Sequence, residues 1–164
     1  MRHIISIILQ NEAGALSRVA SLFSSRGYNI ESLNVAPTDD ETVSRLTLVT
    51  TGSNEVIDQI IKQLAKLIDV VHIADMTVME HIERELALLK FKIDGDSTEL
   101  GRLLEQFDMR VLDDKEGRLT AELVGGSQDI DRLIAQVGRV ARLVSVVRSG
   151  AMAISRGPGG PPRR

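Results

Sequence analysis

A chain of 164 residues has room for one ordinary domain or two small ones of about 80 residues each. Its 43% apolar content fits a packed globular fold, while a net charge of −3 and only three Phe, one Tyr and no Trp exclude a basic, aromatic-lined nucleic-acid face. The absence of cysteine excludes disulfides and thiolate sites; with no apolar run near the ~20 residues that span a bilayer and no visible secretion signal, the chain reads as cytoplasmic, with no membrane partner.

In chain order, His3–Leu9 is short, β-branched and closed by polar residues, which predicts a buried strand. Leu16, Val19, Ala20 and Phe23 form the stripe of a helix packed on one side, and Gly27 is its expected left-handed terminator. Asn29–Ala36 and Val43–Thr50 read as strands around the turn-rich segment 37–41. Ser53 is placed to cap a second helix, with Glu55 in its first turn and Ile57, Ile60, Ile61, Leu64 and Ile68 on the buried face. Val70–Ala74 is the closing strand.

The same rhythm then repeats. Glu85–Ile93 is a strand, and Asp96 with Glu99 suits a capping pair before the stripe Leu100, Leu103, Leu104 and Phe107. Met109–Leu112 and Arg118–Val124 flank a polar turn at 113–117. Ser127 is expected to cap a helix with Ile130, Leu133, Ile134 and Val137 inward, before the strand Leu143–Arg148. Asp58–Leu64 (DQIIKQL) and Asp131–Val137 (DRLIAQV) are alike, each after a Gly-Ser helix start, which supports an internal repeat.

Two βαββαβ units predict an α+β chain of two ferredoxin-like domains, each an antiparallel sheet with both helices on one face. The expected boundaries are a domain at 1–76, a linker at 77–83, a second domain at 84–154 and a mobile tail at 155–164, where Gly, Pro and Arg have nothing to bury.

No catalytic set is visible. His3, His72 and His81 lack metal-ligand spacing and read as structural, so no metal site is expected. Neither a Gly-x-Ser-x-Gly elbow nor a Walker-type loop occurs. Gly125-Gly126-Ser127 reads as a tight turn and cap in preference to an anion site. Asp39, Asp40, Asp113 and Asp114 read as solvated turn formers, and Glu80, Glu83 and Glu85 are expected to point in different directions.

The segment Asn11–Arg18 (NEAGALSR) carries more. Its glycine-containing loop runs into a helix whose first N–H groups lack intrahelical partners and whose dipole favours an anion such as an amino-acid carboxylate. An ordinary strand-to-helix turn is the alternative. Together with Phe23–Leu33 (FSSRGYNIESL), Val35–Asp39 (VAPTD), Ser44–Thr47 (SRLT), Glu83–Leu86 (EREL) and Arg148–Gly150 (RSG), it resembles the small regulatory subunit family of acetolactate synthase (acetohydroxyacid synthase). The likeness covers all but the Gly/Pro/Arg tail, and is stronger in the first half.

That resemblance implies that the first domain is an ACT domain, a βαββαβ module that pairs with a second copy as a homodimer and binds amino acids at the seam. It implies a non-catalytic chain with no cofactor of its own; thiamine diphosphate, Mg²⁺ and FAD belong to the large catalytic subunit. The chain would activate that subunit and confer feedback inhibition by a branched-chain amino acid, typically valine. Carried over by position, Asn11, Gly14, Ala15 and Leu16 contact the effector from one protomer, and Asn29 and Ile30 from the other. Main-chain N–H groups near Gly14–Leu16 would take the carboxylate, Asn11 and Asn29 the ammonium, and Leu16 and Ile30 the branched side chain, whose burial is worth roughly 1.5–3 kcal/mol. The rival expectation is an ACT-type sensor acting on another enzyme or on transcription, although neither a helix-turn-helix nor a basic face is visible.

Overall fold

The computed structural model describes residues 1–93 and 98–157. Its compact units are Met1–Ile82, joined by the residues from Ala151 onward, and Glu83–Gly150. The expected capping residue Asp96 and most of the expected tail lie outside the described residues.

In the first unit, β1 (Arg2–Gln10), α1 (Ala15–Ser25), β2 (Ile30–Pro37), β3 (Val43–Thr51), α2 (Asn54–Leu64) and β4 (Val70–Asp75) follow the expected order. The sheet runs β2-β3-β1-β4, with every neighbouring pair antiparallel. Strand periodicity sends Ile5, Ile7 and Leu9, with Leu46 and Leu48 of β3, toward the helices, where Val19, Phe23, Ile57, Ile60 and Leu64 complete the core. Ser53 caps α2, its hydroxyl accepting from the Val56 N–H. Gly27 takes φ 69°, as its terminator role requires. Ile68, expected on the buried face of α2, is instead 86% exposed. The helix ends at Leu64, and tight turns through Lys66 and Leu67 swing Ile68 off that face.

The second unit repeats the plan with β5 (His81–Lys92), α3 (Thr98–Gln106), β6 (Arg110–Lys115), β7 (Arg118–Gly125), α4 (Ser127–Val137) and β8 (Arg142–Arg148), in sheet order β6-β7-β5-β8. Leu89, Phe91, Leu100, Ala121, Ile130, Leu133 and Val137 are at the heart of its core. Asp113, Asp114 and Lys115, expected in a turn, continue β6, because Glu116 and Gly117 alone make the reversal with φ 54° and 69°. Ser127 is not the cap of α4: Gly126 holds that position, and the Asp129 carboxylate accepts from its N–H.

The boundaries differ from those expected. The expected linker 77–83 is structured: Met76–Val78 form a 3-10 turn capped by Asp75 that runs into it, and β5 already starts at His81. Residues 151–154, assigned to the second domain by sequence, group with the first unit together with Ser155, as β9 (Met152–Ser155), whose strand partner is β5. There Ala151 and Ala153 pack with Ile4, Val49 and Met76 on the sheet face turned away from the helices. The tail does not begin at Ser155 either, since the Arg156 N–H donates to the Glu80 carbonyl. Four strand residues alternating small and exposed side chains make too weak a pattern to read as a strand beforehand.

Candidate functional site

The β1–α1 loop is built around Gly14, which caps α1 at φ 90° without any side-chain cap. Its carbonyl accepts from the Arg18 N–H at 2.9 Å. The Ala15 N–H is already spent on the Glu12 carbonyl at 3.2 Å, so it is not one of the donors open to a ligand. The N–H groups of Gly14, Leu16 and Ser17 have no acceptor among the described residues and lie at the positive end of the helix. Leu16 is 37% exposed whereas Ala15 is buried.

Asn11 is pinned. Its N–H donates to the Thr42 carbonyl at 2.8 Å, its Nδ2 donates to the Glu41 carbonyl at 3.0 Å, and its Oδ1 accepts from the Ser44 hydroxyl at 3.2 Å. The side chain thus ties the β1–α1 loop to the β2–β3 turn, with one Oδ1 lone pair and one Nδ2 hydrogen left over. Asn29 precedes β2 with an exposed side chain, and its carbonyl accepts from Thr50 Oγ1 at 2.6 Å. Ile30 is half-buried against the core. Asn11 and Gly14 in the β1–α1 loop and Ala15 and Leu16 at the start of α1 are therefore neighbours, while Asn29 and Ile30 sit at the head of the edge strand β2.

Sequence reasoning missed Asp69. Its carboxylate, 4% exposed, takes a two-pronged bond from Arg18: Nε to Oδ2 at 2.5 Å and Nη2 to Oδ1 at 2.7 Å. These bonds hold the Asp69 carboxyl below and the Arg18 guanidinium above their ordinary ranges. The Asp69 carbonyl also accepts from Gln10 N–H, so this residue clamps the start of α1 to the end of β1. The signal was a lone acid between Ile68 and Val70. A Cβ on Gly14 would sit 3.0 Å from Arg18 Nη1, in a backbone conformation that costs other residues roughly 1–2 kcal/mol. Gly14→Ala is expected to lower the melting temperature by about 4–8 °C per kcal/mol lost, readable by calorimetry.

The second unit holds a polar cluster that the sequence did not announce. Glu85 is 3% exposed and bonds Arg148 twice, Nε to Oε1 and Nη2 to Oε2, each at 2.8 Å. Arg148 Nη1 also reaches Asp131 at 2.6 Å. Ser127 Oγ lies 2.6 Å from Glu83 and 2.8 Å from Glu85, its single hydrogen serving one at a time. Glu83 and Glu85, expected to diverge, converge on Ser127 because alternate strand residues share a face.

The histidines stay apart in role: His3 is buried with both ring nitrogens unpartnered, and His81 Nδ1 contacts the Met79 carbonyl. Among the described residues no group of three His, Asp or Glu is arranged for a metal, and no helix is long and apolar enough to cross a membrane.

Residues 5–72 match the model of the "AHAS small subunit-like ACT domain", and residues 84–157 match that of the "Small subunit of acetolactate synthase". The chain is 47% identical to the acetolactate synthase isozyme 3 small subunit of Escherichia coli (strain K12), over 96% of this chain and 97% of that one. The chain belongs to the acetolactate synthase small-subunit family. Its first unit is an ACT domain, and the chain is a regulatory subunit, the catalytic centre being in the large subunit. The small subunit of Haemophilus influenzae is 44% identical over 96% of this chain and 97% of its own. The crystal structure of the small subunit from Thermotoga maritima superposes with a TM-score of 0.86 at 29% identity, covering 97% of this chain and 99% of that chain. Two ferredoxin-like units in tandem are thus the architecture of a small subunit.

Proposed function

We propose that this subunit senses a branched-chain amino acid, valine, where two ACT domains of a homodimer meet, and so sets the activity of the thiamine-diphosphate-, Mg²⁺- and FAD-dependent catalytic subunit in the cytoplasm. The observation that carries this reading is the set of open N–H groups at Gly14, Leu16 and Ser17, beside an exposed Leu16. An amino-acid carboxylate fits those donors. β2 supports pairing, since it is an edge strand whose outer side has no strand neighbour among the described residues, and Val35 on it is 42% exposed. In such a pair, Asn29 and Ile30 of one copy approach the Gly14 loop of the other. The remaining lone pair of Asn11 and the amide oxygen of Asn29 then accept from the ammonium, and Leu16 and Ile30 enclose the side chain.

The effector bridges the two domains and stabilises one dimer arrangement; the catalytic subunit responds to that arrangement. A coupling of about 1–3 kcal/mol is enough for strong inhibition, and linkage makes the catalytic subunit alter effector affinity by the same factor.

The test is acetolactate formation by a purified catalytic subunit, with and without this chain, across a valine titration. Stimulation that valine reverses is the expected result; no effect on a competent partner removes the proposal. Asn29→Ala, which deletes a hydrogen bond to a charged group worth about 1.5–3 kcal/mol, is expected to raise the half-inhibiting valine concentration at least tenfold and leave activation intact. An equal fall in activation would show that the two roles are not separable at this residue.

A further inference from the structure

The ACT sheet has a second recess on the face turned away from the helices. The registers Ser6 with Thr47, Ile8 with Arg45, Asn34 with Thr47 and Ala36 with Arg45 place these residues on that face. Met152 and Ala153 of β9 line it too, in a partly open recess of about 300 Å³ that Asp39 also lines. That volume is at the small end of ligand pockets.

Its polar groups are unusually uncommitted. Arg45 is half-buried, yet its guanidinium makes one bond, from Nη1 to Ser6 Oγ at 3.2 Å, and pairs with no carboxylate among the described residues. Arg18, Arg110, Arg132 and Arg148 all have acidic partners. Thr47 is 3% exposed, and its hydroxyl has no partner among the described residues. The Asn34 amide and the Asp39 carboxylate are equally unengaged. Asp39, exposed at the rim, lines the same recess as Arg45 without pairing with it, so the recess offers one unpaired group of each charge. A partly desolvated guanidinium without a counter-charge is costly unless something supplies one.

We propose that this cavity is a second small-molecule site, distinct from the Gly14 loop, for a small amino-acid zwitterion. Arg45 and Thr47 donate to its carboxylate, Asp39 and Asn34 accept from its ammonium, and Ala36, Ala153 and the Met152 thioether limit the side chain to a small one.

The Met152 methyl group is a reporter inside the site. In the full chain labelled with [¹³C-methyl]methionine, its resonance, assigned with Met152→Leu, is followed while L-alanine, L-valine, acetate or L-alaninamide is added. Saturable shifts with L-alanine, at least tenfold weaker with acetate and absent with L-alaninamide, are expected. Arg45→Gln is expected to weaken L-alanine at least tenfold, and Asp39→Asn to bring L-alanine down to the level of acetate. Asn29→Ala, at the other site, should leave the Met152 titration unchanged. Should Arg45→Gln fail to fold, Arg45→Lys keeps the charge and is expected to retain weakened but carboxylate-dependent binding. No saturable shift with any carboxylate, an equal response to L-alaninamide, or a titration lost in Asn29→Ala but kept in Arg45→Gln overturns the proposal. So does a Met152 shift that appears only on adding the catalytic subunit, which would make the recess a docking surface.

Discussion

Arg148→Met is expected to destabilise the second unit by about 3–5 kcal/mol, the usual cost of leaving one partner of a buried ion pair alone. Glu85 is 3% exposed, and the two 2.8 Å bonds from Arg148 are its main compensation. Arg148 holds the Glu85 carboxyl below its ordinary range, with further help from Ser127. The sign of the pH dependence follows. A depressed folded-state pKa contributes stability that is fully present above the unfolded Glu value of about 4.3 and is lost as pH falls through the folded value. Wild-type stability should therefore fall on acidification below about pH 5. Without Arg148, burial raises the Glu85 pKa instead, and stability should fall as pH rises from about 4 toward 7. Urea unfolding at a series of pH values measures both slopes. An unchanged slope in Arg148→Met would falsify the assignment of Glu85 and Arg148 as one buried pair. Glu85→Gln with Arg148→Met should recover part of the loss, because the uncompensated charge is then gone.

Ending the chain at Gly150 is expected to weaken the ACT domain by about 3 kcal/mol while sparing the core of the second unit. The estimate follows from partial exposure of Ile4, Val49 and Met76, each worth roughly 1.5–3 kcal/mol when fully buried. These residues are now 3%, 2% and 3% exposed, and β9 covers them through Ala151 and Ala153. Amide hydrogen exchange resolves the two units: protection should fall in β1 and β3, and at the start of β5 where β9 pairs with it, and persist in β7. Equal loss in both units would mean that β9 does not belong to the first. The consequence reaches regulation, because the sheet that carries the proposed effector loop is then secured by the far end of the chain.

Much of this was legible beforehand. Helical stripes, alternating strands, Gly27 and the Ser53 cap are local patterns whose physics is complete within a few residues, so element order and the two-unit repeat followed directly. The match to the family rested on the loop around Gly14 and the segment after Phe23, which are also local. The fastening role of Asn11 was not legible, because its partners Glu41, Thr42 and Ser44 are supplied by another turn.

What the sequence by itself determined is the set of elements, their order, and which face of each helix is apolar. It also contained a hint that went unread: β1 is apolar on both faces, with Ile4 and Ile8 as well as Ile5 and Ile7 buried, so something had to cover the side without helices. Only the tertiary structure decided what that was. The same holds for the pairs Arg18–Asp69 and Arg148–Glu85, whose members are 51 and 63 residues apart. An isolated acid or arginine has the same local signature whether it is solvated or buried, and its partner is chosen by the register of strands that meet only after the chain has folded.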